Sequence, residues 1–228
     1  MGTVRILEET TKKPLTLIGE CAGIAYDSDT SDPNKCYKRG LSCVKAGHGR
    51  VLEFCDAYFE LDGYSTRVIR EFMRHVGDGL TVIQRSTRYV NEDGFTYFIP
   101  PAIKNNPEAL TAYGATIKEI EKCYNYLIND MNITKEDAAN LLPLGINTRL
   151  AVKKNARCLS DMAGQRLCTR AYHEYRQLMK DIIAALSDYS EEWKTLCGLV
   201  MKCKCDVAGY CCEEFSCGRY PKKDSATA

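Results

Sequence analysis

Apolar and polar residues follow two rhythms along this chain, and together they predict a mixture of helices and strands. Between residues 107 and 131 the apolar positions recur every three to four residues, which is the spacing of an amphipathic helix. Shorter segments that alternate, or that are rich in aromatic residues, are typical of strands. Strands are predicted at residues 3–8, 51–61, 95–99 and 148–153, and helices at 36–46, 66–73, 107–131, 135–142, 155–165, 169–186 and 191–201.

The ends of several predicted helices carry the residues that helix termini require. Ser65 or Thr66 can cap the helix that follows, and Thr134 with Asp137 has the form of a capping box. Gly47 suits the position just after a helix. Because strands and helices do not strictly alternate, we predict an α+β fold: a single mixed domain with a small central antiparallel or mixed sheet flanked by helices. We assign residues 1–202 to this domain and residues 203–228 to a cysteine-rich tail.

Length and charge narrow the classes of function that remain. The chain has 228 residues and a formal net charge of +1. A nearly neutral chain does not indicate a general nucleic-acid or membrane surface, so any basic site is local. The first residues lack the apolar core of a signal peptide, and no apolar run approaches the length of a membrane span. We therefore expect a cytoplasmic protein.

One local concentration of cations lies between residues 74 and 89. It comprises Arg74, His75, Arg85 and Arg88 around two hydroxyl residues, Ser86 and Thr87. Guanidinium groups bind phosphate through two parallel hydrogen bonds, and hydroxyl and backbone N–H groups complete such a site. Because Gly77 and Gly79 interrupt any preceding helix, we place the cations at a helix end and on the loop beyond it. The alternative is a solvated loop whose arginines bind nothing.

The same segment resembles the signature of the flavin-dependent thymidylate synthases, which pairs Arg-His-Arg with a downstream Ser-x-Arg-Tyr. The two halves here are Arg74-His75-Val76 and Ser86-Thr87-Arg88-Tyr89. Further matches follow in the family's order, and together they cover about residues 19–219. They are Gly47-His48 before Glu53, Leu142-Pro143, Asn155-Ala156-Arg157, Arg166, and the run from Ala171 to Arg176. The cysteine-bearing end, with Gly209-Tyr210-Cys211 and Ser216-Cys217-Gly218-Arg219, resembles the tail of a subset of the family.

This resemblance implies one reaction, the methylation of dUMP at C5 to give dTMP. In the family the carbon comes from methylenetetrahydrofolate, and the hydride comes from FAD that NADPH has reduced. The family is homotetrameric, with active sites built from several subunits, and no side chain attacks C6 of the uracil. The implied partners of this chain are therefore dUMP, FAD, the two co-substrates and copies of itself, with no nucleic acid and no membrane.

The resemblance also implies roles for individual residues. Arg166 would contact the uracil and help to activate it, as the catalytic residue. The implied cofactor-binding residues are His48, Glu53, Arg74, His75, Asn155, Arg157 and Asp161. The implied substrate-binding residues are Glu71, Gln84, Arg85, Ser86, Thr87, Arg88 and Arg166. Without the family context, His48 is interpreted as a surface loop residue, Asn155 as a helix N-cap and Arg157 as a solvated charge.

Several positions depart from the family pattern. Val76 stands in place of the second arginine of the signature, Glu71 in place of a glutamine, and Ala139 in place of an arginine. Tyr172 replaces a glutamine and Asp161 an asparagine. Losing a donor, or gaining a carboxylate beside an anionic substrate, should cost on the order of 1 kcal/mol or more. Two alternatives therefore stay open: a family member that acts on another pyrimidine nucleotide or attaches another one-carbon group, and a flavin- or nucleotide-binding protein without catalysis.

The chain has thirteen cysteines, and those of the tail need a separate interpretation. Elsewhere, cysteines such as Cys55 are interpreted as small core residues in a reducing compartment. In the tail we expect free thiols or a local disulfide, and no metal. The alternative is a tetrahedral zinc site, although the spacing is not the familiar pair of C-x-x-C knuckles. Its candidate ligands are Cys203, Cys205, Cys212 (or its neighbour Cys211) and Cys217.

Overall fold

A small sheet runs through the computed structural model, which describes residues 2–75 and 81–223. Within these residues the strands are β1 (Thr3–Ile6), β2 (Asp56–Ser65), β3 (Thr81–Gln84) and β4 (Asn147–Asn155), in the sheet order β1-β2-β4-β3. The pairing of β2 with β4 is antiparallel, because Thr66 N donates to Ile146 O at one end and Ala156 N donates to Cys55 O at the other. The prediction of an α+β fold with a small sheet and many helices is confirmed.

The helices account for most of the remaining chain. They are α1 (Pro14–Ile24), α2 (Pro33–Lys45), α3 (Thr66–Met73), α4 (Pro101–Lys104), α5 (Pro107–Asn129), α6 (Lys135–Ala138), α7 (Ala156–Arg166), α8 (His173–Tyr189), α9 (Glu191–Val200) and α10 (Lys204–Ala208), with 3₁₀ helices at Gly49–Phe54 and Ala139–Leu141. Ser65 Oγ accepts from Val68 N at 3.2 Å and Thr134 Oγ1 accepts from Asp137 N at 3.2 Å, so both predicted caps form. Across the described ranges, no helix has the length and apolar character needed to cross a membrane.

The chain divides into two compact units, and the boundaries between them fall within all four described strands and within α3. The first unit is Met1–Thr3, Leu61–Glu71 and Ile83–Leu150; the second is Val4–Glu60, Phe72–Val82 and Ala151–Ala228. These ranges differ from the division predicted at residue 202, which stays a prediction.

In the first unit the long helix α5 carries the apolar stripe that its periodicity predicts, with two of its positions buried and the others half-buried. Ile117 and Tyr124 are 4 % and 0 % exposed. The hydroxyl of Tyr124 accepts a hydrogen bond from Glu92 N at 3.2 Å, so this aromatic ring is both core and an anchor for the loop after β3. Burying a hydroxyl without such a bond would cost free energy, which is why the tyrosine has this partner.

In the second unit α1 and α2 pack with their backbones nearly in contact. A Cβ atom added to Gly19 would lie 1.7 Å from Cys36 O, and one added to Gly40 would lie 1.9 Å from Leu15 O. Only glycine allows this approach at either position. Trp193 of α9 is fully buried in the same unit, and its Nε1 donates to Thr11 O at 2.7 Å.

Three sequence-based assignments are wrong. Residues 51–54 belong to the 3₁₀ helix Gly49–Phe54, so β2 begins only at Asp56. Residues 95–99 contribute one isolated antiparallel bridge, between Tyr97 and Ile146, while the strand paired at that sheet edge is β3. Helix α8 begins at His173 and not at residue 169, because a turn with Ala171 N donating to Cys168 O at 3.0 Å precedes it. The short helix α10 was not predicted.

Val76 and the glycines Gly77 and Gly79 lie outside the described residues.

Candidate functional site

The first unit holds the predicted nucleotide-binding residues around the end of β3. Gln84 Nε2 donates to Thr148 Oγ1 at 3.3 Å, and Arg85 N donates to Arg149 O at 2.9 Å. These two bonds fix the backbone at the point where the chain leaves the sheet. Glu71, another predicted member of this group, lies half-buried in α3.

A tight turn follows β3 and is organised by one of the predicted hydroxyls. Ser86 Oγ accepts from Arg88 N at 3.3 Å, and Ser86 O accepts from Val90 N at 3.1 Å. Thr87 lies exposed in the same turn. A hydroxyl that caps its own turn in this way holds the neighbouring N–H groups in a fixed direction. The sequence-predicted loop is therefore an ordered turn.

The two arginines of this turn pair with two carboxylates, one buried and one exposed to solvent. Arg85 Nη2 lies 2.9 Å from Glu92 Oε2, and the Glu92 side chain is only 4 % exposed. Burial raises the pKa of Glu92, and the Arg85 guanidinium opposes that rise. Arg88 Nε lies 2.9 Å from Glu136 Oε1, but both side chains are more than half exposed. An exposed pair of this kind stabilises by only about 0–1 kcal/mol, so Arg88 can exchange its partner far more readily than Arg85.

The second unit pairs two predicted site residues that are far apart in sequence. Arg166 Nε donates to His75 Nε2 at 3.0 Å. The same guanidinium lies 4.8 Å from the centre of the Tyr175 ring, and the His75 ring meets that tyrosine edge-on at 6.0 Å. Below them, the buried Lys154 donates from Nζ to His75 O at 3.0 Å and lies 5.2 Å from the Phe72 ring centre. This group is here called the His75 cluster.

The His75 cluster keeps its imidazole uncharged at neutral pH. Burial, together with the nearby cations Arg166, Lys154 and Arg74, lowers the pKa of His75 from 6.5 to about 4. Because Nε2 accepts from a guanidinium N–H, the ring proton resides on Nδ1. His75 therefore acts on Arg166 as a neutral acceptor that fixes the direction of the guanidinium.

Lys154 and Tyr175 belong to this cluster but were not among the predicted site residues. For Lys154 a signal was available, because the inward positions of β4 are Thr148, Leu150, Val152 and Lys154, all at most 7 % exposed. A lysine in phase with a buried strand face points to a buried cation, and burial lowers the pKa of Lys154. Tyr175 is fully buried.

An open pocket of about 490 Å³ in the second unit contains three of the predicted cofactor residues: His48, Arg157 and Asp161. Arg157 Nε donates to Asp161 Oδ2 at 3.2 Å, one helical turn along α7. A Cβ atom on Gly49 would lie 1.6 Å from Arg157 Nη1, so the missing side chain leaves the space that the guanidinium occupies.

Three further predicted cofactor residues do not line this pocket. Asn155 caps α7, accepting from Cys158 N at 2.9 Å, as the alternative interpretation expected. Glu53 is exposed on the 3₁₀ helix, and Arg74 is exposed just after α3. An adjoining pocket of about 320 Å³ is lined by Arg166, Arg170 and residues of the tail.

The tail packs its cysteines around a small cavity of about 10 Å³, lined by Cys168, Cys203, Cys205, Cys211 and Cys217 with Arg170, Arg219 and Tyr220. Cys212, one of the candidate zinc ligands, is exposed and lies outside this lining. All thirteen cysteines are free thiols. Among residues 2–75 and 81–223, no group of three or more His, Cys, Asp or Glu is arranged to hold a metal ion.

Comparison with known proteins identifies relatives over most of the chain. The family profile Thy1, described as thymidylate synthase complementing protein, matches residues 6–189. The flavin-dependent thymidylate synthase of Nitratidesulfovibrio vulgaris is 28% identical over 193 residues, which are 81% of this chain and 76% of that protein. The enzyme of the same name from Pyrococcus furiosus is 28% identical over 214 residues, covering 89% and 86%.

Solved structures show the same fold. The flavin-dependent thymidylate synthase of Helicobacter pylori, complexed with FAD and dUMP, superimposes with a TM-score of 0.66 at 20% identity, covering 85% of this chain and 99% of that one. The UMP/dUMP methylase PolB of Streptomyces cacaoi, bound with 5-Br dUMP, gives a TM-score of 0.70 at 17% identity, covering 87% and 95%.

Proposed function

Because this chain belongs to the flavin-dependent thymidylate synthase family, we propose that it is an FAD-dependent enzyme that methylates dUMP at C5 to give dTMP. The co-substrates are methylenetetrahydrofolate, which supplies the carbon, and NADPH, which reduces the flavin. The observation that supports this most directly is the Arg166–His75 pair, in which a neutral acceptor aims a permanent cation.

The pocket around Arg157 fits a flavin dinucleotide. Its wall includes the apolar residues Val44, Leu52 and Leu199, which suit a planar ring, while Arg157 supplies a fork for phosphate. The missing side chain of Gly49 makes room for the Arg157 guanidinium at the wall of this pocket. When bound and reduced, the flavin supplies the hydride that completes the methyl group. Arg157 and Asp161 hold and orient, and neither transfers a proton.

The turn after β3 is proposed to bind the nucleotide phosphate. The phosphate would replace Glu136 as the partner of Arg88, which is inexpensive because that ion pair is exposed. Ser86 contributes binding and not nucleophilic attack, because its neighbours are arginines, which cannot accept a proton. Arg85 keeps its buried partner Glu92 and therefore serves mainly to shape the turn.

Arg166 is proposed to face the uracil and to stabilise the negative charge that develops on its oxygen as C5 becomes nucleophilic. The hydrogen bond to His75 and the contact with the Tyr175 ring leave the guanidinium few alternative directions. A donor fixed before the reaction stabilises charge without paying for reorganisation, which is the physical reason to expect a large effect on turnover.

Release of tritium from [5-³H]-dUMP tests the proposal, because any substitution at C5 must expel that hydrogen. The purified protein, supplied with FAD, NADPH and methylenetetrahydrofolate, should release tritium only when all three are present, and should form tetrahydrofolate rather than dihydrofolate. [5-³H]-UMP run in parallel tests the alternative nucleotide. If a folded, flavin-loaded protein releases tritium from UMP but not from dUMP, its substrate is the ribonucleotide and not dUMP. If tritium is released from neither nucleotide, the protein binds flavin or nucleotide but does not catalyse this reaction.

We further propose that the chain assembles as a homotetramer with shared active sites, as the family resemblance implies. Light scattering of the protein as it elutes from a size-exclusion column gives the mass of the assembly, which is compared with 25.6 kDa for one chain. Mixing Ser86→Ala and Arg166→Ala chains after separate purification should partly restore turnover if the two residues serve one site from different subunits. A monomer with full activity would contradict the shared-site arrangement.

A further inference from the structure

A lysine of the tail lies across α7, outside the segment that the family profile matches. Lys204 is the first residue of α10, whereas the profile ends at residue 189. A Cβ atom on Gly164 of α7 would lie 3.3 Å from Lys204 Cγ and 3.8 Å from Lys204 Cε. The aliphatic stem of the lysine therefore rests on the one position of that helical turn that has no side chain.

This placement puts Lys204 in the lining of two pockets of the second unit. The pocket of about 490 Å³ and the pocket of about 320 Å³ share Gly164, Lys204 and Cys212. The first contains Arg157 and the second contains Arg166. Lys204 thus lies where the proposed flavin pocket meets the pocket that contains the proposed catalytic residue, Arg166.

The charges of the larger pocket favour an anion at this junction. Its lining holds the permanent cations Arg157, Lys202 and Lys204 against a single carboxylate, Asp161. Asp161 is already paired with Arg157 at 3.2 Å. The two lysines therefore add net positive charge beside an apolar wall, which is the combination that a ligand with an aromatic ring and a phosphate requires.

We propose that Lys204 is a cofactor-phosphate ligand supplied by the tail, so that the flavin pocket of this protein is completed by a residue beyond the segment that the family profile matches. The ligand class is a flavin dinucleotide, with the ammonium group contacting a pyrophosphate oxygen. This inference rests on the proposed function, since it assumes that the Arg157 pocket takes the flavin. A flexible ammonium on a stem held by Gly164 can follow such a phosphate without moving α7.

Titration of flavin-free protein with FAD, followed by flavin fluorescence, tests the proposal. Lys204→Gln should weaken FAD binding about tenfold and reduce its salt dependence, while Lys204→Arg should stay within about threefold of the parent. Lys180→Gln removes the charge of an exposed lysine of α8 that lines neither pocket, and it should leave FAD affinity unchanged. Riboflavin, which has the ring but no phosphate, should bind parent and Lys204→Gln equally.

The failures of the two proposals are distinguishable. If Arg157→Ala weakens FAD binding and Lys204→Gln does not, the pocket is correct and the role of Lys204 is wrong. If Lys204→Gln weakens riboflavin as much as FAD, the lysine shapes the pocket instead of binding phosphate, which also overturns the inference. If the parent protein binds no FAD at all, the proposed function itself fails.

Discussion

Acidification should destabilise this protein through His75, and the size of the effect follows from the surroundings of the imidazole. The pKa of His75 is lowered from 6.5 to about 4, first by burial and then by Arg166, Lys154 and Arg74. The unfolded chain therefore binds the proton before the folded chain does. Stability from this group is complete above about pH 6.5, is lost as the pH falls toward 4, and changes no further below that.

The magnitude can be worked out from the two pKa values. With a pKa of 6.5 in the unfolded chain and about 4 in the folded one, protonation of the half-buried His75 should cost about 1 kcal/mol of stability between pH 7.5 and pH 5.5. The full loss at lower pH approaches about 3 kcal/mol. Other groups titrate in the same range, so the total pH dependence of the parent is not informative by itself.

The matched control is His75→Gln, which keeps an acceptor for Arg166 but cannot be protonated. Guanidinium unfolding at one protein concentration, at pH 7.5 and at pH 5.5, should show the parent losing about 1 kcal/mol more than the variant. Arg166→Gln should reduce the loss, because removing that cation raises the pKa of His75. Since the chain has only three histidines, NMR can follow the His75 ring directly. Equal pH dependence in parent and His75→Gln, or a His75 pKa near 6.5, would refute the reasoning.

Four further predictions concern single residues. Ser86→Ala should weaken dUMP binding about tenfold and leave turnover measurable at saturating nucleotide; abolished turnover at unchanged affinity would contradict a binding role. Arg166→Ala should lower turnover about a hundredfold or more while changing dUMP affinity less, as steady-state and equilibrium measurements would show. Asn155→Ala should lower the free energy of unfolding by about 1 kcal/mol because α7 loses its N-cap, whereas Asn155→Ser should keep the cap and the stability. Weaker FAD binding by the stable serine variant would then show that Asn155 also contacts the cofactor. Elemental analysis after purification without added metal should find less than about 0.2 zinc per chain, and stoichiometric zinc would overturn the interpretation of the tail as free thiols.

Local signals in the sequence located much of the secondary structure. The apolar stripe of α5, the helix caps at Ser65 and Asn155, and the strand β4 were all predictable. In each case the physics acts between residues a few positions apart, such as a side-chain oxygen and an N–H three residues later. The ordered family motifs added the candidate residues, but not their neighbours in space.

Tertiary structure decided which of those residues meet. The choice of β3 over residues 95–99 as the strand beside β4 could not be read locally, because a strand needs a partner edge as well as a pattern. Similarly, Arg166 and His75 are 91 positions apart, and only packing brings the guanidinium to the imidazole. The low pKa of His75 depends on that packing, since burial and the surrounding cations come from several segments. Local sequence signals therefore determined the helices and the motifs. Packing between distant segments determined that His75 is uncharged and how the Arg166 guanidinium is oriented.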